Sequence, residues 1–165
     1  MIQDTWVDHG LQATATWIPA EEYDGEEPLV QAYALCVVGD LVCVIRSPYT
    51  GTKLLPGGTI EEGEDPVETL HREVYEEANL ELSAVELLGV QRVEYSDTHP
   101  DYGEDVIYQA RYVAQVDRAD FLTEDPSEGF VFERSFVSLD DFPELMGWGD
   151  IGQELVRLAK QHKDL

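Results

Sequence analysis

Three glutamates near the middle of the chain have a spacing that suits a divalent cation. Glu73, Glu76 and Glu77 stand at i, i+3 and i+4, so on a helix their carboxylates share one patch of surface. Without a cation, such like-charged pairs destabilise a helix by roughly 0.2–0.5 kcal/mol each. A bound divalent cation would reverse the sign of that interaction. Because carboxylate oxygens suit Mg²⁺, which is usually shared with substrate phosphates, the three glutamates predict a magnesium site.

The residues around the glutamates predict the helix that must position them. Asp65 is a suitable N-cap, Pro66 fits the first helical position, and Glu68 completes a capping box with Asp65. Apolar residues recur at helical spacing and predict the face that packs on the core, namely Val67, Leu70, Val74 and Ala78. Asn79 follows this stripe and tolerates the left-handed conformation that commonly ends a helix.

A glycine-rich loop precedes the predicted helix and contains Gly57, Gly58 and Gly63. Glycines let the main chain approach a ligand closely, so we expect the carbonyl of Gly57 to reach the cation held by the helix. A glycine-rich loop or an acidic helix, each taken alone, is as often a solvated surface element. Their joint spacing favours a site.

Read as one segment, residues 57–80 resemble the box of the Nudix hydrolase family. Its positions are filled by Gly58, Glu64, Arg72, Glu73, Val74, Glu76, Glu77 and Leu80. Asn79 stands where the family has its second glycine, and we expect Asn79→Gly to be nearly silent because Asn can also end a helix. The resemblance extends more loosely over most of the chain. It implies one domain over residues 1–165, an α/β/α sandwich with a mixed curved sheet.

The resemblance also implies a MutT-like pyrophosphohydrolase that uses Mg²⁺, or Mn²⁺ in its place. Glu76 and Glu77 would be the leading metal ligands, and the Gly57 carbonyl would complete the site. Glu73 would be a further ligand or the group that orients water. A water activated by the metal or by a carboxylate would attack phosphorus in line with the leaving group.

Supporting residues follow from the same resemblance. Arg72 would fix the carboxylates by charge-assisted hydrogen bonds. It could also form an ordinary i, i+4 ion pair with Glu76, and both can hold at once. Glu64 would orient the loop or the metal ligands. Members of the family often draw a further carboxylate from the region after residue 117. Glu128 and Glu133 are the candidates, against a plain reading of both as exposed acids.

The substrate is the least determined feature. ADP-ribose, a noncanonical nucleoside triphosphate, a dinucleoside polyphosphate and a nucleotide sugar all fit the resemblance, and Arg46 and Tyr95 are candidates for binding it. Arg111 could reach a phosphate, but its place on an alternating strand favours a surface arginine. The alternative function is a catalytically silent Nudix-like module that binds a nucleotide to regulate a partner. The complete set of box glutamates favours the enzyme.

The formal net charge is −25, from 35 acidic against 10 basic residues. This charge disfavours nucleic acid and anionic membranes as partners, leaves a small nucleotide as the expected ligand, and suits either ordinary solubility or a salt-rich cytoplasm. No apolar stretch reaches 18 residues, and the first residues lack the basic and apolar regions of a leader, so we expect a cytoplasmic protein.

The remaining elements read mostly as strands. Residues 1–28 predict one strand followed by an acidic connection, which could serve as an added edge strand or as the arm of a homodimer. Strands are expected at 30–38, 41–46, 53–55, 85–95, 106–116 and 130–139. Cys36 and Cys43 face each other across a predicted hairpin, and two reduced buried thiols are favoured over a disulfide. A final helix over 150–163 would be capped by Asp150 and Gln153 and would carry Lys160 and Lys163 near its end.

Overall fold

The computed structural model, which describes residues 1–162, consists of one large sheet and three helices. The strands are β1 Gln3–Asp8, β2 Leu11–Pro19, β3 Leu29–Val38, β4 Leu41–Arg46, β5 Lys53–Leu54, β6 Gly57–Thr59, β7 Leu80–Tyr95, β8 Val106–Ala119 and β9 Glu133–Ser138. The helices are α1 Pro66–Ala78, α2 Phe142–Met146 and α3 Asp150–His162, with a 3₁₀ turn at Ala20–Glu22.

The sheet is mixed and runs in the order β1-β2-β7-β8-β3-β4-β5. The β3–β8 pair is parallel and the other pairs are antiparallel, with β6 added to β3 and β9 added to β4. Register shifts interrupt the long β7–β8 pair, and irregularities of this kind bend a sheet. The predicted α/β fold with a mixed curved sheet is confirmed.

The two long helices cover opposite faces of the sheet. Leu70, Val74 and Ala78 of α1 pack with Ala32, Ala34 and Cys36 of β3 in one core cluster. In the other cluster Ile151, Leu155 and Ala159 of α3 pack with Leu35 and Val37, which point the other way from β3. Because both faces are covered, strands such as β3 are apolar on both sides. Val67, which the helical spacing placed in the α1 stripe, is instead exposed.

Several strand predictions were wrong. The strand expected at 85–95 begins at Leu80, directly after the end of α1, and the one expected at 106–116 continues to Ala119, because these residues pair with each other. The first 28 residues form a hairpin of β1 and β2 rather than one strand, because Gln3–Asp8 is mostly exposed and carries little alternation of polarity. The last strand begins at Glu133 and not at 130, because Phe130 and Phe132 pack as part of a loop in the α1-side core. Cys36 and Cys43 are both free and buried, as favoured.

The predicted cap of α3 was also wrong. Asp150 is already the first helical residue, and its N–H and that of Ile151 donate to the two carboxylate oxygens of Asp4, each at 2.9 Å. A side chain from β1 therefore caps the helix, which local sequence could not reveal. Lys163 lies outside the described residues. Within residues 1–162, no helix is both long enough and apolar enough to cross a membrane.

Candidate active site

The box helix begins and ends where its sequence predicts. Asp65 Oδ1 accepts a hydrogen bond from the N–H of Glu68 at 2.9 Å, and Pro66 is the first helical residue. Asn79 ends α1 in the left-handed conformation, with φ 53° and ψ 42°. These two caps fix the register of the helix, and with it the direction in which the glutamates project.

Arg72 lies at the centre of the box carboxylates. Its Nε and Nη2 donate to Glu64 at 2.7 and 2.9 Å, forming a two-pronged pair. Its Nη1 donates to Glu73 at 2.9 Å and to Glu76 at 3.3 Å. Planar guanidinium groups suit such bidentate contacts. The pKa of Glu64 is lowered to about 2, and the hydrogen bond from Arg72 is the main cause. Arg72 and Glu64 make the contacts that their predicted supporting parts require, and those parts stay predictions.

Gly57 and Gly58, which the structure places in the short strand β6, make room for this arrangement. A Cβ on Gly57, whose φ is 151°, would lie 2.3 Å from the carbonyl oxygen of Ala32 and 2.6 Å from Cα of Tyr33. A Cβ on Gly58 would lie 2.6 Å from Cδ of Glu73. All three distances are shorter than the contacts that a real Cβ makes, so a side chain at either position would displace its neighbour. Glycine at these positions therefore lets the loop lie against β3 and lets the Glu73 carboxylate lie against the loop.

The carboxyl of Glu77 is largely withdrawn from solvent, beside the main chain of Gly57. Burial raises the pKa of its carboxyl to about 9, the charges of Glu73, Asp125 and Glu128 add to the increase, and the N–H of Gly57, donating to Glu77 Oε1 at 2.9 Å, opposes it. Burial also raises the pKa of Glu73, against the hydrogen bond from Arg72. A cation beside these groups would restore their ionised forms.

The segment between β8 and β9 brings further acids to the box. Asp125 and Glu128 both lie close enough to Glu77 for their charges to affect its pKa. Asp125 is only 2% exposed, and its Oδ1 accepts hydrogen bonds from the N–H groups of Ser127 and Glu128. Glu128 was a candidate from the sequence, whereas Asp125 was not. The Asp-Pro-Ser sequence at residue 125 is typical of a turn and was the available signal for Asp125.

The candidates Arg46 and Glu133 lie away from the box. Arg46 Nη1 donates to Glu133 Oε2 at 2.6 Å, and both side chains are largely exposed at the paired ends of β4 and β9. The structure joins them to each other and not to the box carboxylates. Tyr95 is 5% exposed and packs its ring 4.6 Å from that of His99, at the wall of a cavity.

This cavity, of about 630 Å³, lies on the α3 side of the sheet between β1, β3, β7, β8 and the start of α3. Arg111 lines it and is 7% exposed, so the expectation of a surface arginine was wrong. The N-terminal hairpin and α3 cover that face of β8, which alternation within β8 could not show. Burial lowers the pKa of Arg111 to about 10, so the guanidinium remains charged at neutral pH.

The floor of the cavity is polar. Arg111 Nη2 donates to Gln109 at 3.0 Å, its guanidinium lies 4.9 Å from the ring centre of Tyr33, and its buried Nε has no hydrogen-bond partner within residues 1–162. Gln109 in turn donates to Gln31 at 2.5 Å. Tyr33 also pairs with Gly57 across β3 and β6, so the cavity adjoins the box loop. Polar residues in otherwise apolar strands were the signal for this floor.

A second group of potential metal ligands lies at the tip of the hairpin. Within the described part of the chain, only Asp8, His9 and His99 bring three ligand atoms within 4.8 Å of one another. However, His99 Nδ1 accepts the N–H of Asp101 at 3.1 Å, which leaves Nε2 protonated and donating to Asp8 at 3.0 Å. A metal on Nε2 would require the proton on Nδ1, facing another N–H. These residues therefore connect the end of β1 to the segment after β7, and they do not suit a cation.

Comparisons with known proteins agree with the sheet and the box. Residues 28–157 match the NUDIX domain family. A pyrophosphohydrolase of Bacillus subtilis is similar in structure, with a TM-score of 0.66 and 15% identity, covering 93% of this chain and 96% of that one. A NUDIX hydrolase from Nitrosomonas europaea gives a TM-score of 0.60 at 18% identity over 83% and 91%.

A UDP-X diphosphatase gives a TM-score of 0.61 at 19% identity, covering 86% of this chain and 66% of that one. A search of curated protein sequences gives no match. Identities this low show the fold alone, whereas the family match spans most of the chain and includes the whole box. The chain therefore belongs to the Nudix hydrolase family.

Proposed function

We propose that this chain is a Mg²⁺-dependent hydrolase that cleaves a phosphoanhydride bond in a nucleoside diphosphate linked to another group. The observation that carries the proposal is the set of carboxyl groups around Glu77. Its carboxyl is buried against the loop, its pKa is raised to about 9, and its one hydrogen bond from the loop comes from a neutral main-chain N–H. A buried carboxyl of this kind is stable in its ionised form only with a positive partner.

The donor set suits the cation that the family implies. Glu73, Glu76 and Glu77 offer hard oxygen ligands, and the Gly57 carbonyl lies in the loop against which Glu77 packs. Bound there, Mg²⁺ would withdraw charge from the phosphate oxygens of the substrate. Mn²⁺, with similar ligand preferences, would substitute for it.

The chain's own residues would orient the reaction. Arg72 holds Glu73 and Glu76 in place through Nη1, and its pair with Glu64 prevents the guanidinium from turning away. Glu73, which Arg72 holds beside the predicted ligands, would orient the attacking water and take its proton. The water oxygen then bonds to phosphorus as the bond to the leaving phosphate oxygen breaks.

The cavity beside Gly57 is the proposed place for the rest of the substrate. Its charged Arg111 supplies positive potential inside a strongly acidic protein, and the free N–H at Nε can donate to an acceptor oxygen of the substrate. Gln109 and Gln31 offer both donors and acceptors, as recognition of a polar ring requires. This arrangement favours a small nucleotide as partner, in a protein that we expect in the cytoplasm.

A substrate screen tests the proposal. Purified protein with Mg²⁺ is incubated with ADP-ribose, nucleoside triphosphates, dinucleoside polyphosphates and nucleotide sugars, and the products are separated by chromatography. Glu77→Gln keeps the volume of the side chain and an acceptor for Gly57, and is expected to lower turnover by about 100-fold or more. Glu62→Gln makes the same charge change at an exposed loop position and should leave turnover unaltered.

Equal turnover in Glu77→Gln and the original protein would contradict the assignment. Silence on every substrate class, together with tight nucleotide binding by both proteins, would instead favour the regulatory module.

A further inference from the structure

The residue that departs from the family's box makes contacts that glycine could not make. Asn79 is 1% exposed, its Oδ1 accepts the N–H of Thr123 at 2.9 Å, and its Nδ2 donates to Thr123 Oγ1 at 2.9 Å. The donor on Thr123 fixes which end of the amide is the oxygen. Its main-chain oxygen also accepts the N–H of Asp120 at 2.9 Å. A glycine would retain that main-chain bond and the bond from its own N–H to the carbonyl of Tyr75, and would lose both side-chain bonds.

These contacts join α1 to the segment from Asp120 to Phe132, which we call the acidic loop. Two further ties hold only the first residue of this loop: Tyr75 Oη donates to Asp120 at 3.0 Å, and Arg134 bridges the carbonyls of Ala78 and Asp120. The Asn79 side chain is the contact that reaches farther, to Thr123, two residues before Asp125.

The part of the acidic loop that follows Thr123 is internally closed. Asp125 accepts from the N–H of Gly129 through its carbonyl and donates its own N–H to Phe130. Its side chain caps the N–H groups of Ser127 and Glu128. Residues 125–130 therefore form a compact turn, which is held at its far end by the packing of Phe130 and Phe132 in the core and at its near end through Thr123. Loss of the near attachment would let both acids of the turn shift relative to Glu77.

We propose that Asn79 is a positioning residue, which fixes the acidic loop so that Asp125 and Glu128 stand beside the box glutamates and strengthen cation binding there. The inference rests on the proposed function, because it takes the box glutamates as the cation site. It also reverses the expectation that Asn79→Gly is silent. Glycine relieves the left-handed backbone but removes the acceptor of the Thr123 N–H.

Cation binding tests the proposal without turnover. Mn²⁺ is titrated into substrate-free protein, and the free ion is followed by electron paramagnetic resonance. Asn79→Gly, which loses both side-chain bonds, is expected to weaken binding roughly tenfold. Thr123→Val should weaken it less, because valine loses the hydroxyl but keeps its N–H bond to Asn79. The double variant should be no weaker than Asn79→Gly alone, because that variant already removes both bonds. Tyr75→Phe serves as the matched control, because it removes only the hydrogen bond to the Asp120 side chain. This variant should bind Mn²⁺ as the original protein does.

Amide hydrogen exchange gives a second measurement that needs no cation. The amides of Ser127 and Glu128 should exchange at least tenfold faster in Asn79→Gly and measurably faster in Thr123→Val, while that of Thr69, at the other end of α1, should not change. If Asn79→Gly does not fold, Thr123→Val carries both measurements.

The outcomes separate this proposal from the proposed function. Loss of Mn²⁺ in Glu77→Gln together with unaltered binding and exchange in Asn79→Gly and Thr123→Val would overturn the role of Asn79 alone. Unaltered Mn²⁺ binding in Glu77→Gln would overturn the cation site itself.

Discussion

At the scale of single residues, Glu77 is expected to make stability depend on pH. The pKa of its carboxyl is raised from 4.5 to about 9 in the folded protein, mainly by burial. Between these values the folded state binds more protons at this site than the unfolded state does. The contribution is therefore fully present below about pH 4.5 and is lost as pH rises towards about 9.

The melting temperature of the protein in EDTA should accordingly fall across this window, and the increase produced by Mg²⁺ should grow with pH. Differential scanning fluorimetry with and without Mg²⁺ measures both. Glu77→Gln should flatten the two trends, whereas Glu62→Gln should not. A gain from Mg²⁺ that is the same at pH 5 and pH 9 would speak against Glu77 as the responsive group.

Gly58 provides a test of the space around Glu73. Its backbone does not have a positive φ, so alanine is compatible with the chain path, but the added Cβ would lie 2.6 Å from Cδ of Glu73. We expect Gly58→Ala to displace that carboxylate, with a loss of turnover on the order of 100-fold but only a small loss in the free energy of unfolding, because the end of a glutamate side chain can move. Activity assays and urea titrations measure the two losses.

Thr59→Ala is the control for this change, since Thr59 is the exposed neighbour and contributes only its carbonyl to Arg72. Turnover that survives Gly58→Ala would mean that Glu73 can move without consequence. It would also remove Glu73 from the reaction scheme.

At the scale of elements, the N-terminal hairpin of β1 and β2 lies outside the family match, which begins at residue 28. Even so, β1 lines the cavity and caps α3 through Asp4. Asp4→Ala should lower the free energy of unfolding by about 1 kcal/mol, as loss of a helix cap does. Asp117→Ala, at an exposed position on β8, is the matched control in urea titrations. Equal midpoints for the two variants would show that α3 does not depend on this cap.

Elements with local signals were predictable from the sequence, and those defined by distant partners were not. The box helix carries its own start at Asp65 and end at Asn79, so its bounds follow from neighbouring residues. Arg111 was misread because its burial depends on the hairpin and α3, which are far away in the chain. The contact of Asn79 with Thr123, 44 residues away, was invisible for the same reason. The Nudix family and its enzyme class followed from the box, and both are confirmed.

At the scale of the whole molecule, the acidic charge has to be reconciled with an anionic ligand. The formal net charge is −25, so the average potential around the protein repels a nucleotide. Arg72 faces more carboxylates than it can neutralise, so a cation held by the box glutamates would supply the positive charge there, and the buried Arg111 supplies it inside the cavity. Local attraction at the site can therefore coexist with general repulsion, and added salt weakens the general repulsion first because it acts over longer distances.

The same charge predicts how the folding of the molecule responds to salt. Mutual repulsion destabilises the compact state, and the Debye length shrinks from about 10 Å at 0.1 M to about 3 Å at 1 M. If the acidic surface only keeps the protein soluble, the melting temperature should change little with KCl. If it is an adaptation to a salt-rich cytoplasm, the melting temperature should climb steeply and continue to climb beyond about 1 M, where simple screening is nearly complete.

The acidic stretch before β3 provides the variant for this measurement. Glu21, Glu22, Glu26 and Glu27 are exposed, and replacing all four by Gln removes negative charge far from the box helix in the sequence. Because repulsion is the cause, the variant should melt higher than the original protein at 0.1 M KCl and should gain less from added salt. A variant whose melting curve follows that of the original at every KCl concentration would show that this charge does not control stability. A flat profile in both would leave solubility as the role of the acidic surface.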